Sequence, residues 1–274
     1  DEAEASYRKA IELKSNNPDA YLNLGNVLKS QQKLDEAEVC FRKAIELNVE
    51  YTKAHNNLHI LLKENELLSK IKKSKLLNNK TKISFIKKNY TKLADPGLSL
   101  NPNPFTFKRE VETELVSNLY KLNTIKLDDV DNANLRYGNG RSSDYKLFEN
   151  NSPIIKYAAE DLISIMKQAV KSDIFIAESF FNIFQTGSGI VPHNHIIQFD
   201  IDNGLINQKF SLVYYLSVGD QNSSEPGILK LQDPDEKILP NEGMIMIFPA
   251  NRKHSTVYGG KTDRIMIGVN FYSL

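Results

Sequence analysis

The sequence predicts an α+β protein in two parts, a helical repeat array of the α-solenoid type followed by a β-rich jelly roll. The first part is predicted because DEAEASYRKAIEL (1–13) recurs as DEAEVCFRKAIEL (35–47), a shift of 34 residues. The second is predicted because short β-branched and aromatic runs, separated by glycine-containing turns, fill residues 176–271. A chain of 274 residues is long enough to bury one or two cores.

Composition excludes several classes of function. The chain has 35 basic and 34 acidic residues, so as a whole it lacks the charge of a nucleic-acid clamp. Its single cysteine, Cys40, excludes disulfide staples and cysteine-rich metal sites, and fits a reducing compartment, so we expect a cytoplasmic protein. Runs of about 20 apolar residues are absent from the sequence, so no membrane partner is predicted.

The helical part has the marks of paired helices. Between the two copies lies NPDAYLNLGNVLKSQQKL (17–34), in which Pro18 fits a helix start and Gly25 fits a close contact between helices. Residues 1–65 resemble tetratricopeptide repeats. The resemblance implies helical hairpins that bind a protein or peptide partner, and we expect further repeats upstream because the first copy is the second helix of a repeat.

A basic segment follows the repeats. Residues 66–94 contain nine lysines and, after Glu66, no acidic residue, and we predict a capping helix that continues as a basic linker. A solvated helix face is one interpretation, and a docking patch for an acidic partner is the other. The segment has only two aromatic residues, Phe85 and Tyr90, among its nine lysines, too few for an interleaved set that stacks bases, which disfavours a nucleic-acid partner.

A proline- and glycine-rich break, DPGLSLNPNPF (95–105), predicts the boundary of a second domain over residues 95–274. Helices are predicted at 107–122 and 152–172, the second with Ser152 as N-cap and Pro153 in its first turn. The strands follow from residue 176 onward. The loops 133–150 and 196–209 are the segments in which we expect substrate specificity.

The positions of the histidines predict a metal site. His193 and His195 are an i, i+2 pair, which on a strand places both imidazoles on one face. His254 would arrive from another strand and complete a site with three ligands on one face. Non-haem Fe(II) oxygenases use such a site and leave the opposite positions open for co-substrate and dioxygen.

The order of these segments resembles a known family. His193-Asn194-His195, the strands SLVYYLSV and EPGILKLQD, then GMIMIFPANRKH and Arg264 resemble the 2-oxoglutarate/Fe(II)-dependent dioxygenases, nearest the prolyl-hydroxylase-like branch. The resemblance covers residues 170–274 and implies a double-stranded β-helix buttressed by helices. It also implies Fe(II), 2-oxoglutarate and dioxygen as cofactors, with His193, His195 and His254 on the metal. Arg264 would bind the distal carboxylate of 2-oxoglutarate, with Asn182 and Tyr214 lining the co-substrate.

The sequence departs from the family pattern at two places. His195 occupies the usual carboxylate position, and Asp200 or Asp202 remains an alternative third ligand. Met266 stands where the family often has a serine, and another hydroxyl would have to take over that role; Ser255, Thr256 and Tyr258 are the candidates.

Three functions stay open at this point. The first is a hydroxylase whose repeats recruit a protein or peptide substrate, and the second is an oxygenase acting on a small molecule or glycan. The third is a non-catalytic jelly-roll module that binds a ligand on a repeat scaffold.

Overall fold

The computed structural model describes residues 2–86, 104–129 and 135–274. The chain divides into two compact units, Asp1–Thr91 and Lys92–Leu274. Most of the predicted boundary segment and the end of the basic linker lie outside the described residues. The finer division into 1–65, 66–94 and 95–274 therefore stays a prediction.

The first unit consists of four helices that pair as hairpins. They are α1 (Glu2–Leu13), α2 (Pro18–Ser30), α3 (Leu34–Leu47) and α4 (Thr52–Ile86). As predicted, α2 starts at Pro18, where the side chain of Asn17 accepts hydrogen bonds from the next turn. A Cβ at Gly25 would lie 2.6 Å from the ring of Phe41, which confirms the predicted close helix contact.

The last helix of this unit differs from the prediction. We expected a repeat helix ending near residue 65 and then a separate capping helix, whereas α4 is one helix of 35 residues. Nothing in this stretch interrupts a helix, since it lacks both proline and glycine. Among the described residues, no helix of the chain is both long and apolar enough to cross a membrane.

The second unit contains twelve strands and three α-helices among the residues that the structure describes. In chain order they are β1 (Phe105–Lys108), α5 (Thr113–Lys121), β2 (Ile125–Lys126), β3 (Arg136–Tyr137), β4 (Gly140–Ser142), α6 (Pro153–Val170), β5 (Ile174–Phe184), β6 (Ser188–His193), α7 (Gln198–Asp202), β7 (Lys209–Ser217), β8 (Leu229–Leu231), β9 (Glu236–Ile238), β10 (Met244–Pro249), β11 (His254–Tyr258) and β12 (Arg264–Ser273).

The strands form two antiparallel sheets, which confirms the predicted jelly roll. One sheet has the order β1-β10-β7-β12-β5-β4-β2, and the other has the order β3-β6-β11-β8-β9. The last eight strands show the pattern of a double-stranded β-helix, since β5, β7, β10 and β12 lie in one sheet and β6, β8, β9 and β11 in the other. They alternate between the sheets except at β8 and β9, which form a hairpin within the small sheet.

The large sheet uses its two faces differently. On its outer face, alternate residues such as Phe181, Leu216 and Ile267 pack with α5 and α6 into the main hydrophobic core. The intervening residues of the same strands, such as Phe180, Val213 and Met266, face the small sheet and line a cavity. This two-residue alternation along each strand separates the helix-covered core from the site.

The first helix predicted in this unit begins later in the structure than we expected. We expected a helix over residues 107–122, but residues 105–108 form β1, and the helix begins only at Thr113. Phe105 pairs with Ile247 at the edge of the large sheet. Pairing with a distant strand therefore overrides the local helical pattern at this position. The second predicted helix, α6, lies where expected and carries Pro153 in its first turn, although the Ser152 side chain makes no capping hydrogen bond.

Candidate metal centre

Three histidines converge in the cavity between the sheets. His193 ends β6 and His254 begins β11, and the two residues are paired directly across these strands. Candidate ligand nitrogens of His193, His195 and His254 all lie within 4.8 Å of one another. The three side chains that the sequence predicted as ligands are thus brought together at one point.

His195 reaches this point by a different route from the one predicted. The strand β6 ends at His193, so the two residues are not an i, i+2 pair on one strand. Instead, the backbone N–H of His195 donates to the carbonyl of Ala250 at 2.9 Å, which ties the segment after β6 to the end of β10. A contact between distant segments therefore places the third imidazole.

Backbone carbonyls fix the ring protons of two histidines. The Nδ1 of His193 lies 2.9 Å from the carbonyl of Val191, and the Nδ1 of His254 lies 3.4 Å from the carbonyl of Arg252. A carbonyl can only accept a hydrogen bond, so each Nδ1 carries the proton and each Nε2 keeps its lone pair. Metal-binding histidines in proteins commonly show this arrangement.

His195 has a different neighbour. Its Nδ1 lies 3.3 Å from the amide nitrogen of Asn270, which also donates to Glu178 at 2.7 Å. The amide oxygen of Asn270 accepts from the hydroxyl of Ser211 at 2.8 Å. In this arrangement the Nδ1 accepts and the ring proton is on Nε2. A metal bound through Nε2 would require the Asn270 amide to turn its oxygen toward the ring.

Burial keeps the three imidazoles neutral. Burial is the main cause that lowers the pKa of His254 to about 3, and the neighbouring His193 lowers it further. Burial also lowers the pKa of His193, and it lowers the pKa of His195 well below its usual range. Neutral imidazole is the form that binds a metal, so the site is ready for a cation at neutral pH.

Neither alternative carboxylate lies with the histidines. Asp200 is fully buried and accepts hydrogen bonds from Lys209 at 2.8 Å and from the hydroxyl of Tyr272 at 2.6 Å. Asp202 is exposed on α7 and bonds to Gln198. The interpretation of either aspartate as third ligand is corrected, because Asp200 is held by an ion pair elsewhere and Asp202 faces solvent.

Arg264 is a buried cation without a carboxylate partner among the described residues. It is 0% exposed, and its guanidinium donates to the carbonyls of Val218, Pro226 and Gly227. Gly227 has a φ of +78°, and any Cβ there would collide with the guanidinium. Burial lowers the pKa of Arg264. The guanidinium also faces the ring of Tyr215, a residue that lines the cavity.

Asn182 and Tyr214 were both predicted to line the co-substrate, but only Asn182 faces the cavity. Asn182 lines the cavity, is 1% exposed, and its Oδ1 has no hydrogen-bond partner in the part of the chain that the structure describes. Tyr214 points to the other face of the sheet, where its hydroxyl bonds to Arg109 and to the carbonyl of Glu110. The predicted role of Tyr214 is corrected, since its neighbour Tyr215 is the tyrosine that faces the cavity.

Among the possible hydroxyl donors, the structure distinguishes Thr256. Its Oγ1 is buried in the cavity wall and, within the described ranges, makes no hydrogen bond. The hydroxyl of Tyr258 is already engaged by the carbonyl of Thr262 and the amide of Asp220. Thr256 and Asn182 therefore offer free polar atoms to a bound molecule, because buried polar groups are nearly always paired.

Sequence reasoning missed four polar residues of the cavity. The structure adds Arg136, Ser211, Tyr215 and Asn270. Tyr215 and Ser211 would have required knowledge of which strand face is buried. Arg136 lies on a strand of two residues, which gives no periodic signal.

Comparisons with known proteins bear on both units. Models described as "Tetratricopeptide repeat" and "TPR repeat" match residues 18–51 and 1–32. Residues 1–51 are therefore tetratricopeptide repeats, as the sequence resemblance predicted. No curated protein sequence matches the chain.

Solved structures of oxygenases are similar to the chain at low identity. A prolyl hydroxylase from Trichoplax adhaerens, in complex with a hypoxia-inducible-factor peptide, is 15% identical, with a TM-score of 0.48 over 63% of this chain and 84% of that one. HygX from Streptomyces hygroscopicus, with nickel, 2-oxoglutarate and hygromycin B, is 13% identical, with a TM-score of 0.48 over 62% and 82%. A prolyl-4-hydroxylase from Pseudomonas putida is 15% identical, with a TM-score of 0.45 over 64% and 94%.

Proposed function

We propose that the C-terminal unit is a non-haem Fe(II)- and 2-oxoglutarate-dependent dioxygenase, a hydroxylase whose substrate is recruited by the repeats. The observation that carries this proposal is the convergence of His193, His195 and His254 in the cavity of a jelly roll. The second support is Arg264, a buried cation that needs an anion.

The donor set fits a divalent transition metal. Imidazole nitrogen is a ligand that suits iron, zinc, copper and nickel. Three ligands from one side leave the positions toward the cavity open, which a catalytic site needs and a structural site does not. Three neutral ligands also leave the full +2 charge of the ion in place, which favours an anionic co-substrate over a neutral one.

Arg264 fits the distal carboxylate of 2-oxoglutarate. Isolating a charge from water is costly unless an opposite charge accompanies it, and none of the described residues supplies a carboxylate to this guanidinium. The planar guanidinium matches a carboxylate with two parallel hydrogen bonds. Asn182 and Thr256 would supply the remaining polar contacts through their unpartnered atoms.

The walls of the cavity keep the reaction away from water. Phe180, Val213, Leu229 and Met266 line the space between the sheets with apolar surface. When bound, Fe(II) with 2-oxoglutarate and dioxygen supplies the oxidising power to hydroxylate a C–H bond, releasing succinate and carbon dioxide. The chain itself holds the ion, pairs with the co-substrate and excludes solvent.

The repeats would bring the substrate. Tetratricopeptide hairpins present an extended surface, and residues 1–51 belong to this class. We therefore propose a protein or peptide as the molecule that the first unit binds.

The test is 2-oxoglutarate turnover by the full chain. Protein loaded anaerobically with Fe(II) should release succinate from 2-oxoglutarate when dioxygen is admitted. The His193→Ala variant should be inactive under the same conditions, whereas the matched variant His55→Ala, which changes an exposed histidine of α4, should be unaffected. If wild type binds Fe(II) and 2-oxoglutarate but forms no succinate, the protein is instead a non-catalytic ligand-binding jelly roll.

A further inference from the structure

The cavity of the histidines contains a second buried cation, Arg136. This residue begins β3 and pairs with Ile190 of β6 at the edge of the small sheet. Its side chain is only 8% exposed and lines the same cavity as the three histidines. Its positive charge contributes to the lowered pKa of both His193 and His195.

Aromatic rings hold the guanidinium of Arg136 in place. The guanidinium carbon lies 4.9 Å from the ring centroid of Phe180 and 5.6 Å from that of Tyr145. The two rings are in edge contact with their centroids 5.4 Å apart. One nitrogen donates to the hydroxyl of Ser142 at 3.1 Å. These cation–π contacts position the group and leave most of its N–H donors for another partner.

The other buried cations show what Arg136 lacks. Arg109 pairs with Glu112 and Asp161, Arg252 pairs with Glu236, and Lys209 pairs with Asp200. Within the described ranges, only Arg136 and Arg264 are buried cations with no carboxylate at ion-pair distance. Because burying a charge without a counter-charge is costly, Arg136 is built to receive an anion from outside the chain.

The two unpaired arginines contact the large sheet at different levels. Arg264 is paired across the sheet with Phe184, whereas Phe180, on which Arg136 stacks, is paired with Gly268. These levels are four residues apart on one strand, which corresponds to about 13 Å at the usual rise of a strand. Of the two, Arg136 lines the cavity itself, whereas Arg264 contacts its wall through Tyr215, so we infer two separate anion sites.

We propose that Arg136 binds a carboxylate of the substrate and so selects acidic molecules for reaction. This inference rests on the proposed function, in which Arg264 takes the co-substrate. A carboxylate fits better than a phosphate, because one planar guanidinium provides two parallel donors and no second cation of the described residues lies beside it for a doubly charged group. The acidic group is supplied either by an Asp or Glu side chain of a peptide or by a free C-terminal carboxylate.

The test measures binding rather than turnover. The full chain is loaded with Zn(II), or kept metal-free, and titrated in ligand-observed NMR with blocked amino acids. The pairs are N-acetyl-aspartate amide against its asparagine analogue, N-acetyl-glutamate amide against its glutamine analogue, and N-acetyl-alanine against its amide. Wild type should bind at least one acid about tenfold more tightly than its neutral partner, as expected for one charge-assisted pair. The first two pairs report a side-chain carboxylate and the third a terminal one.

Matched variants assign this preference to Arg136. Arg136→Met keeps a long unbranched stem against Phe180 and should lose the preference for acids, while Arg136→Lys should retain part of it. Lys230→Met, a change of an exposed lysine, should have no effect. Thermal unfolding of each variant checks that it is folded. If Arg136→Met does not fold, Ser142→Ala is tested in its place, because it removes only the hydroxyl contact of Arg136.

Three outcomes would overturn the inference. Wild type would bind no acid more tightly than its neutral partner, Arg136→Met would keep the preference, or Arg136→Met would lose 2-oxoglutarate while Arg264→Met keeps it. The last outcome would make Arg136 the co-substrate anchor. A wild-type protein that prefers acids but neither binds nor turns over 2-oxoglutarate would contradict the proposed function and leave the carboxylate site standing.

Discussion

His193 and His254 face each other across the pair β6–β11, with ring centroids 4.4 Å apart. Each ring donates from Nδ1 to the carbonyl of the residue two positions before it. The same local hydrogen bond, made on each of two paired strands, thus points the two Nε2 lone pairs toward the same space. His195 completes the group through a contact with Ala250 rather than through either strand.

Removing either strand histidine should abolish metal binding. His193→Ala or His254→Ala leaves two imidazoles, too few to hold the ion against dialysis. Metal content after anaerobic loading with Fe(II) and dialysis measures the effect, and His55→Ala is the control. Full occupancy in either variant would mean that the ligands are wrongly assigned.

His195 and Asp200 should behave in opposite ways. We expect His195→Ala to lose metal, while Asp200→Asn keeps it, because Asp200 is bound to Lys209 and Tyr272. Breaking this buried pair should lower the free energy of unfolding by about 3–5 kcal/mol, measured by urea denaturation. Asp202→Asn should change neither property. Loss of metal in Asp200→Asn together with retention in His195→Ala would restore the carboxylate as third ligand.

Arg264→Ala should raise the 2-oxoglutarate concentration needed for half-maximal succinate release at least tenfold. A buried charge-assisted pair contributes about 2–3 kcal/mol, and the variant removes it without touching the histidines. Metal affinity should hardly change. Lys230→Ala and Lys261→Ala, which alter exposed lysines, should behave like wild type. If one of these lysine variants shows the defect and Arg264→Ala does not, the lysine holds the diacid.

Acid should destabilise the metal-free protein through the histidine cluster. The pKa of His254 is about 3 in the folded protein against an ordinary value of 6.5. Between these values the unfolded chain takes up a proton that the folded chain refuses, so stability is present above the upper value and falls as pH drops. The slope should reach about 1.4 kcal/mol per pH unit for this group. The free energy of unfolding is measured by urea denaturation between about pH 4 and pH 7. It should depend less steeply on pH in His254→Gln than in wild type.

The second unit should work without the repeats. Residues 95–274 should fold and convert 2-oxoglutarate, because the jelly roll and its two covering helices share their own core. Residues 1–65 alone should be unstable, since so few repeats leave an apolar face uncovered. Circular dichroism and succinate release by the separate segments check this. An aggregated fragment 95–274 without bound iron would show that the basic segment belongs to the oxygenase core.

The sequence by itself determined the features that depend on local pattern and spacing. The 34-residue repeat, the helix start at Pro18 and the alternation of apolar residues in the strands are each readable from neighbouring residues. The sequence spacing from His193 to His254 fits two strands that bring both imidazoles to one cavity. Such patterns can be read from the sequence because the backbone geometry of helices and strands is local and repeats regularly along each element.

The tertiary structure decided what depends on pairing between distant strands. In the run SLVYYLSV, both Tyr214 and Tyr215 are plausible cavity residues, and only the packing of α5 and α6 on one face shows that Tyr215 points inward. The approach of Arg136 to the cavity likewise depends on the pairing of β3 with β6. A single sequence does not specify such register, because the same alternating strand can turn either face toward a core.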